Sequence, residues 1–183
     1  MRIITGQYKG RTIQAPKGIR PTEERVRKAF FDIMADVSGM SFLELFAGSG
    51  AMGFEALSQG ASTVLFVEKD RQAVKAIEIN LKKLGISSQA ELVCADVLQF
   101  IPVLAKNKRK FDLIFLDPPY YRGMAEKTLQ ILAEYDILQN PGYLIIQHFK
   151  RDPLPDRQGG FVLFKQSRYS DALLSFYRKE GNP

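Results

Sequence analysis

Residues 111 to 120 read FDLIFLDPPY. The first six are apolar or aromatic apart from Asp112, and such a run predicts a strand buried on both faces of a parallel sheet. Two prolines then end the strand in a stiff turn, because proline fixes φ and lacks an N–H donor. We expect this turn at the carboxyl end of the strand, where open α/β sheets bind their ligands.

The Asp-Pro-Pro-Tyr turn offers groups that suit a planar heterocycle with an exocyclic amine. Asp117 can accept one N–H, the carbonyl of Pro118 can accept the other, and Tyr120 can stack on the ring. An Asp that only caps a proline turn is the simpler interpretation, but the whole tetrapeptide after an apolar strand favours function. It resembles the (Asn/Asp)-Pro-Pro-(Tyr/Phe) motif of amino-group methyltransferases that use S-adenosyl-L-methionine. We therefore expect Asp117, Pro118 and Tyr120 to be catalytic.

A glycine-rich loop at residues 47 to 53, AGSGAMG, follows a predicted first strand at residues 42 to 46. Glycines let the backbone turn tightly and approach a ligand, whose polar groups then meet free N–H groups. The spacing Gly48-x-Gly50-x-x-Gly53 also matches the dinucleotide fingerprint, so the loop taken alone supports a dehydrogenase equally well.

Two acidic residues follow the next predicted strands. Glu68 ends a buried strand at residues 63 to 67 and can accept hydrogen bonds from the ribose hydroxyls of adenosine. Asp96 follows a strand at about residues 91 to 95 and can accept one from the adenine amine. Either acid could instead cap a helix, and for Asp96 this interpretation fits the sequence almost as well as ligand binding does. The predicted cofactor-binding residues are Phe46, Ala47, Gly48, Ser49, Gly50, Glu68, Asp96 and Asp117.

The last third of the chain predicts a change from parallel to antiparallel strands. A fifth buried strand covers residues 143 to 146, and His148, which ends it, suits a structural role better than a catalytic one. Residues 161 to 164 and 173 to 177 predict two strands whose connection is too short for a parallel crossover, so they must be antiparallel. A doubly wound α/β sheet that ends in an antiparallel hairpin is typical of methyltransferases and departs from nucleotide dehydrogenases.

The net charge of +6 lies entirely in the first 28 residues, which hold eight basic and two acidic side chains. The remaining residues hold 18 of each sign and sum to zero. A solvated basic surface is the usual meaning of such a run, but so complete an asymmetry favours contact with nucleic acid. The predicted RNA-binding residues are Arg2, Lys9, Arg11, Arg20 and Arg25.

The basic segment predicts a small β-hairpin over residues 1 to 20 and then a helix. Glycines separate two short β-prone runs, which is typical of a hairpin. Thr22 is the predicted N-cap of the helix, whose apolar stripe should pack inward and leave Arg25 and Lys28 exposed. We expect residues 1 to 38 to form an RNA-contacting extension and residues 39 to 183 to form the methyltransferase domain.

The composition fits one soluble domain of 183 residues, with 45% hydrophobic and 25% charged side chains. The single cysteine, Cys94, lies in an apolar run and is expected to be a packed core thiol, so no disulfide forms within the chain. We expect no membrane span and no signal peptide, and therefore a cytoplasmic location. We also expect no metal and a monomeric state.

Taken together, these blocks resemble the RsmD family, bacterial methyltransferases that modify the N2 amine of one guanine in 16S ribosomal RNA. The resemblance covers nearly the whole chain, and its most specific blocks are RIITGQYKGR at residues 2 to 11 and RPTEERVR at residues 20 to 27. It implies a Rossmann-like class I fold with a seven-stranded, mostly parallel sheet and an antiparallel last strand. It also implies a guanine target within the small ribosomal subunit.

Two positions depart from the family pattern. Gln147 stands where members often carry an acidic residue before the histidine, and residues 170 to 172 read SDA where many show Gly-(Asp/Asn)-Thr. Both departures bear on how the target is positioned more than on the reaction.

Four other functions are compatible with parts of the sequence. A DNA adenine-N6 methyltransferase shares the tetrapeptide but usually adds a target-recognition domain, for which this chain has no room. A protein glutamine methyltransferase usually has Asn in place of Asp117. A nicotinamide dehydrogenase explains the glycine loop alone, and a non-catalytic RNA-binding protein explains only the basic segment.

Overall fold

The computed structural model describes residues 1–16, 18, 22–120 and 123–180. The chain divides into two compact units, Met1–Asp96 and Val97–Pro183. Within the described residues there are five helices and eight strands. The predicted α/β fold with parallel strands followed by antiparallel ones is confirmed. The strand count differs from the predicted seven, because a two-residue strand at Arg157–Gln158 pairs with the final hairpin.

The first unit alternates helices with three parallel strands. Its elements are α1 (Glu24–Met34), β1 (Ser41–Leu45), α2 (Ala51–Ser58), β2 (Thr63–Glu68), α3 (Arg71–Leu84) and β3 (Ala90–Cys94). Strand β2 pairs in parallel with β1 on one side and with β3 on the other. Because the strands are parallel, their carboxyl ends lie at one edge, where Glu68 is opposite Cys94.

Helix α2 packs so closely on β2 that only glycine fits at the contact. A Cβ atom on Gly53 would lie 2.3 Å from a ring atom of Phe66 and 2.8 Å from Oε2 of Glu44. The third glycine of the loop motif therefore serves helix–strand packing. Gly50, just before the helix, has a φ of 72°, and its Cβ would lie 2.9 Å from the Phe54 ring.

The amino-terminal segment pairs with itself in antiparallel fashion but forms no regular strands among its described residues. One isolated bridge joins Arg2 to Thr12, and the backbone N–H of Ile3 donates to the carbonyl of Arg11 at 3.0 Å. The predicted hairpin strands are therefore wrong, although the predicted antiparallel pairing is present. Ile3 and Ile13 are only 2% and 1% exposed, so the segment belongs to the core.

Helix α1 begins one residue later than predicted. Its N-cap is Glu23, whose side chain makes no capping hydrogen bond, and Thr22 lies before the cap. The helix starts with an acid in its first turn, so its positive end is compensated by charge. Arg25 and Lys28 are exposed, as predicted. Arg20 lies outside the described residues.

The second unit begins with α4 and ends with three antiparallel strands. Its elements are α4 (Val97–Lys106), β4 (Phe111–Leu116), α5 (Met124–Glu134), β5 (Leu138–Phe149), β6 (Arg157–Gln158), β7 (Phe161–Tyr169) and β8 (Ala172–Lys179). Strand β5 is parallel to β4 and antiparallel to β8, and β8 pairs with β7. Strand β5 is longer than predicted at both ends, because Leu138 already pairs with Phe111 of β4 and the pairing with β8 continues through Phe149.

The expectation that Cys94 is a packed core thiol is wrong. Cys94 is exposed, and its Sγ lies 3.8 Å from the carbonyl oxygen of Lys69. Within the first unit, β3 is the outer neighbour of β2, and its residues are mostly half-buried or exposed. An apolar run in such a strand does not bury every side chain, because successive side chains point to opposite faces and those on one face are open to solvent.

The close contact at Gly53 predicts that Gly53→Ala destabilises the protein. Alanine normally favours a helix over glycine by about 1 kcal/mol, but here the added methyl group must displace the Phe66 ring. Overpacking costs about 1–3 kcal/mol and the helix preference offsets about 1 kcal/mol, so we expect a net loss of up to about 2 kcal/mol, measured by urea unfolding. Gly160→Ala is the control, because its Cβ would meet nothing within 4 Å. Equal stability of both variants would contradict this account.

Candidate functional site

The glycine loop of the first unit is a tight turn with an unusual backbone. Phe46, Gly48 and Gly50 all have left-handed φ values, of 57°, 53° and 72°. The N–H of Gly50 donates to the carbonyl of Ala47 at 2.7 Å, and the N–H of Ala47 donates to the carbonyl of Val67 at 3.1 Å. The loop is thus tied to the end of β2. Ala47 and the neighbouring Ser49 are buried.

The carboxylate of Glu68 is attached directly to this loop. Its Oε2 accepts the N–H of Gly48 at 2.8 Å, and its Oε1 accepts the N–H groups of Lys69 and Asp70, each at 2.8 Å. A carboxylate has about four acceptor positions, so Oε2 keeps capacity for one more donor. A carboxylate with a free lone pair beside a left-handed glycine turn fits the hydroxyl groups of an adenosine-containing ligand.

Asp96 lies close to Glu68 along the same strand edge. The N–H of Ala95 donates to the carbonyl of Glu68 at 3.0 Å, and half-buried Asp96 follows directly. The first unit therefore brings the loop, Glu68 and Asp96 to one edge.

Sequence reasoning missed the role of Glu44 in the same region. This buried carboxylate in β1 accepts the N–H of Gly53 at 2.8 Å and that of Met52 at 3.3 Å. These are N–H groups of the first turn of α2, which have no acceptor within the helix. The signal was a single acid within an apolar strand just before the glycine loop.

In the second unit, Asp117 and Tyr120 are held by one side chain of the neighbouring strand. The amide Nε2 of Gln147 donates to Oδ2 of Asp117 at 3.0 Å and to the hydroxyl of Tyr120 at 3.3 Å. The register explains the contact, because Leu116 pairs with Ile146 in the parallel pair and the next residues follow side by side.

The rest of the turn is packed around this contact. Pro118 is buried, whereas Asp117 and Tyr120 are half-buried and Pro119 is exposed. The Tyr120 ring lies 5.9 Å from the ring of Phe149, at an interplanar angle of 32°. Tyr120 is thus supported through both its hydroxyl and its ring.

His148 is buried, and its hydrogen-bond partners determine which ring nitrogen carries the proton. Its Nδ1 lies 2.9 Å from the carbonyl oxygen of Asp152 and 3.2 Å from that of Phe149, so Nδ1 carries the hydrogen. Its Nε2 lies 2.8 Å from the hydroxyl of Ser175, which donates to it. Burial lowers the pKa of His148, against the raising effect of the two carbonyls.

The basic segment exposes only part of its charge. Arg2, Lys9 and Arg11 are exposed, and exposed Arg25 forms a 2.7 Å ion pair with Glu23. Arg27 is only 2% exposed, and its Nη2 donates to the carbonyl of Arg2 at 3.1 Å. Arg27 therefore stabilises the segment from inside and is not available to a phosphate.

No group of three or more His, Cys, Asp or Glu that could hold a metal ion occurs within residues 1–16, 18, 22–120 and 123–180. Over the same ranges, no helix is both long and apolar enough to span a bilayer.

Parallel strands alternating with helices, antiparallel strands near the end of the chain, a glycine turn after β1 and Asp-Pro-Pro-Tyr after β4 define a class I methyltransferase that uses S-adenosylmethionine. A family model described as conserved hypothetical protein 95 matches residues 1–178. The chain belongs to this family, the RsmD family.

Individual relatives match over most of their length. The ribosomal RNA small subunit methyltransferase D of Haemophilus influenzae is 36% identical over 158 residues, covering 84% of this chain and 81% of that protein. The protein of that name from Escherichia coli K12 is 31% identical over 184 residues, covering 99% and 91%. The solved structure of yhhF from Escherichia coli has a TM-score of 0.88 at 31% identity and covers 100% of this chain and 99% of that one.

The buried histidine predicts that stability falls in mild acid. Because folding lowers the pKa of His148, the unfolded chain binds the proton more readily, so stability is complete above the ordinary pKa of about 6.5 and decreases below it. The slope contributed is at most about 1.4 kcal/mol per pH unit. Urea unfolding between pH 5 and 8 measures it. His148→Gln removes the only histidine, so an unchanged slope would contradict this origin.

Proposed function

We propose that this protein transfers a methyl group from S-adenosylmethionine to the N2 amine of a guanine in 16S ribosomal RNA. The observation that carries the proposal is the Asp117–Tyr120 turn, in which Gln147 fixes both the carboxylate and the stacking ring. Relatives named as ribosomal RNA small subunit methyltransferases support the RNA substrate.

The cofactor is proposed to bind at the first unit, where the glycine loop meets Glu68. When bound, it supplies a methyl group made electrophilic by the adjacent sulfonium. Glu68 accepts a hydrogen bond from a ribose hydroxyl at the remaining acceptor position of Oε2, and Asp96 accepts one from the adenine amine. Residues 46 to 50 supply the tight backbone turn around the ligand.

The chain's own contribution to the reaction is to orient a weak nucleophile. The N2 lone pair of guanine is delocalised into the ring, so the amine must pyramidalise before it reacts. Asp117 and the carbonyl of Pro118 each hold one N–H and direct the lone pair outward. Orientation of this kind can lower a barrier by roughly 7–11 kcal/mol. As the N–C bond forms, the bond between the methyl carbon and sulfur would break, and Asp117 would stabilise the positive charge on nitrogen. One proton of the amine then leaves to solvent.

Tyr120 is proposed to stack on the guanine ring. Base stacking on an aromatic side chain contributes roughly 1–3 kcal/mol. Because Gln147 holds the hydroxyl and Phe149 supports the ring, Tyr120 loses little further freedom when the base arrives.

The basic segment is proposed to hold the RNA through phosphate contacts. Arg2, Lys9, Arg11 and Arg25 are exposed, and Arg20, outside the described residues, belongs to the same proposal. Residues 1 to 38 would then act as the RNA-contacting extension of a methyltransferase domain at residues 39 to 183. We further propose that the protein is a monomer and that it acts in the cytoplasm. Its proposed substrate is 16S ribosomal RNA within the small-subunit ribonucleoprotein.

Replacing Asp117 separates catalysis from binding. Asp117→Ala removes an acceptor from the target amine and should lower the rate on the order of 10²–10³-fold even when the cofactor is saturating. The measurement is single-turnover methyl transfer to small-subunit particles that lack the modification, with cofactor and particles saturating. Asp112→Ala, an acid at the other end of β4, is the matched control. A near-normal rate for Asp117→Ala would exclude the proposed mechanism.

The cofactor site is best tested at Glu68, because a side chain at Gly50 would strain the fold itself. Glu68→Gln keeps the shape, removes the charge and places an NH₂ group against one of the N–H groups that Glu68 binds, so both the contact with the ligand and the loop are weakened and S-adenosylmethionine affinity should fall about tenfold or more. Calorimetry measures it, with NAD as the ligand that should not bind. Glu78→Gln, an exposed acid on α3, should bind as the wild type does. Unchanged affinity in Glu68→Gln would remove this residue from the site.

The role of the basic segment is measurable as a salt dependence. The triple variant Arg2→Ala, Lys9→Ala, Arg11→Ala should lower the log–log slope of RNA affinity against salt by roughly 0.7–0.9 for each lost phosphate contact. Alanine substitution suits this test better than deletion, because Ile3 and Ile13 lie in the core. The control replaces three exposed lysines of the second unit, Lys106, Lys108 and Lys127. Equal slopes for both triple variants would place the RNA surface elsewhere.

A further inference from the structure

We infer that Gln147 reads the hydrogen on the ring nitrogen beside the target amine and thereby restricts the site to guanine. Its Oε1 accepts a hydrogen bond from guanine N1–H while Asp117 holds the neighbouring N2 amine. The inference rests on the proposed function and assigns a specificity-determining residue to it.

The orientation of the Gln147 amide follows from its partners. An ionised carboxylate only accepts hydrogen bonds, so the amide group that lies 3.0 Å from Oδ2 of Asp117 must be the NH₂ group. The reverse orientation would place two acceptor oxygens against each other. With Nε2 committed to Asp117 and to the Tyr120 hydroxyl, the carbonyl oxygen Oε1 is the free end of the side chain.

This free end is buried and has no partner in the described part of the chain. Gln147 is only 6% exposed, and its Oε1 accepts no hydrogen bond from any described residue. Leaving a buried amide oxygen unsatisfied costs about 1–3 kcal/mol, so such atoms are uncommon in folded proteins outside functional sites. The same side chain directly contacts the two residues proposed to hold the target base.

The chemistry of the bases identifies the missing donor. Guanine carries an N1–H directly beside its exocyclic amine, and so it presents two adjacent donors on one edge. Adenine and cytosine also carry an amine, but the ring nitrogen beside it is an acceptor that would face Oε1 with like polarity. RNA-binding proteins read unpaired bases on this edge. Adjacent acceptors on Asp117 and Gln147 therefore match guanine and reject the other two amine-bearing bases.

The test compares two target bases that differ at N1 and at the adjacent C6. The methylated guanine is first located by mapping the methyl group that the wild type adds to small-subunit particles lacking the modification. Particles are then reconstituted with guanine or 2-aminopurine at that position. The analogue keeps the C2 amine but lacks both the N1–H and the 6-oxo group, so the change of preference in a Gln147 variant, and not the wild-type preference alone, reports the N1–H contact. Single-turnover rates are measured for the wild type, for Gln147→Met, and for the control Gln166→Met, which removes an exposed amide on β7 that donates to Ser175.

The wild type should methylate guanine faster than 2-aminopurine by about 5- to 150-fold, which corresponds to the loss of one buried hydrogen-bond partner. In Gln147→Met the ratio of the two rates should fall by about fivefold or more, because the acceptor for N1–H is gone. Gln166→Met should keep the wild-type ratio. A ratio does not depend on the fraction of enzyme that is folded, and Gln147→Leu provides the same readout if the methionine variant folds poorly.

The two ways of failing can be told apart. A wild type that places no methyl group on a guanine N2 contradicts the proposed function at the mapping step, and this inference with it. A wild type that methylates guanine but shows equal rates for both bases overturns the inference alone. So does Gln147→Met with an undiminished preference for guanine, which is the result expected if water satisfies Oε1.

Discussion

Buried carboxylates that accept backbone N–H groups hold the irregular parts of the first unit in place. Glu44 accepts hydrogen bonds from N–H groups in the first turn of α2. Glu55 accepts those of Ile4 and Thr5, and Glu68 accepts that of Gly48 in the loop. Burying a carboxylate is unfavourable unless it is hydrogen-bonded, so each of these acids depends on the backbone N–H groups that it accepts. The glycine loop and the amino-terminal segment therefore depend on the same kind of interaction.

The second unit uses an amide for the corresponding task. Prolines stiffen the backbone turn at the end of β4 and supply no N–H donors. The side chain of Gln147, on the neighbouring strand β5, therefore takes the place of backbone donors in orienting Asp117 and Tyr120. An amide can do this because it donates with one end and accepts with the other. Gln147 therefore brings both a donor and an acceptor to the end of β4, through contacts at a single pair of neighbouring strands.

Local patterns predicted every strand of the two units except β6, the change from parallel to antiparallel pairing, and the positions of the loop, Glu68, Asp96 and Asp117 after strand ends, but they wrongly predicted strands in the amino-terminal segment. The correct predictions were possible because apolar runs, glycines and prolines act through neighbouring residues. Asn80 also anchors the amino-terminal segment, because its Oδ1 accepts the N–H of Gln14 at 2.8 Å and its Nδ2 donates to the carbonyl of Gln14 at 2.9 Å. The anchoring roles of Glu55 and Asn80 could not be predicted, since their partners lie about 50 and 66 residues away in the chain. The exposure of Cys94 likewise depends on which strand is outermost, and the shift from Thr22 to Glu23 depends on backbone geometry at one residue.

The number of basic residues in the first segment overstates the positive charge that the segment exposes. Burial lowers the pKa of Arg27, an effect opposed by Glu55, Glu24 and Glu44, and this guanidinium, which is charged at any physiological pH, faces the interior of the unit. The exposed positive charge therefore comes from fewer side chains than the sequence contains. These side chains stand on backbone that Glu55 and Asn80 already fix. A polyanion that binds them need not order the segment first, so more of the electrostatic attraction is retained as affinity.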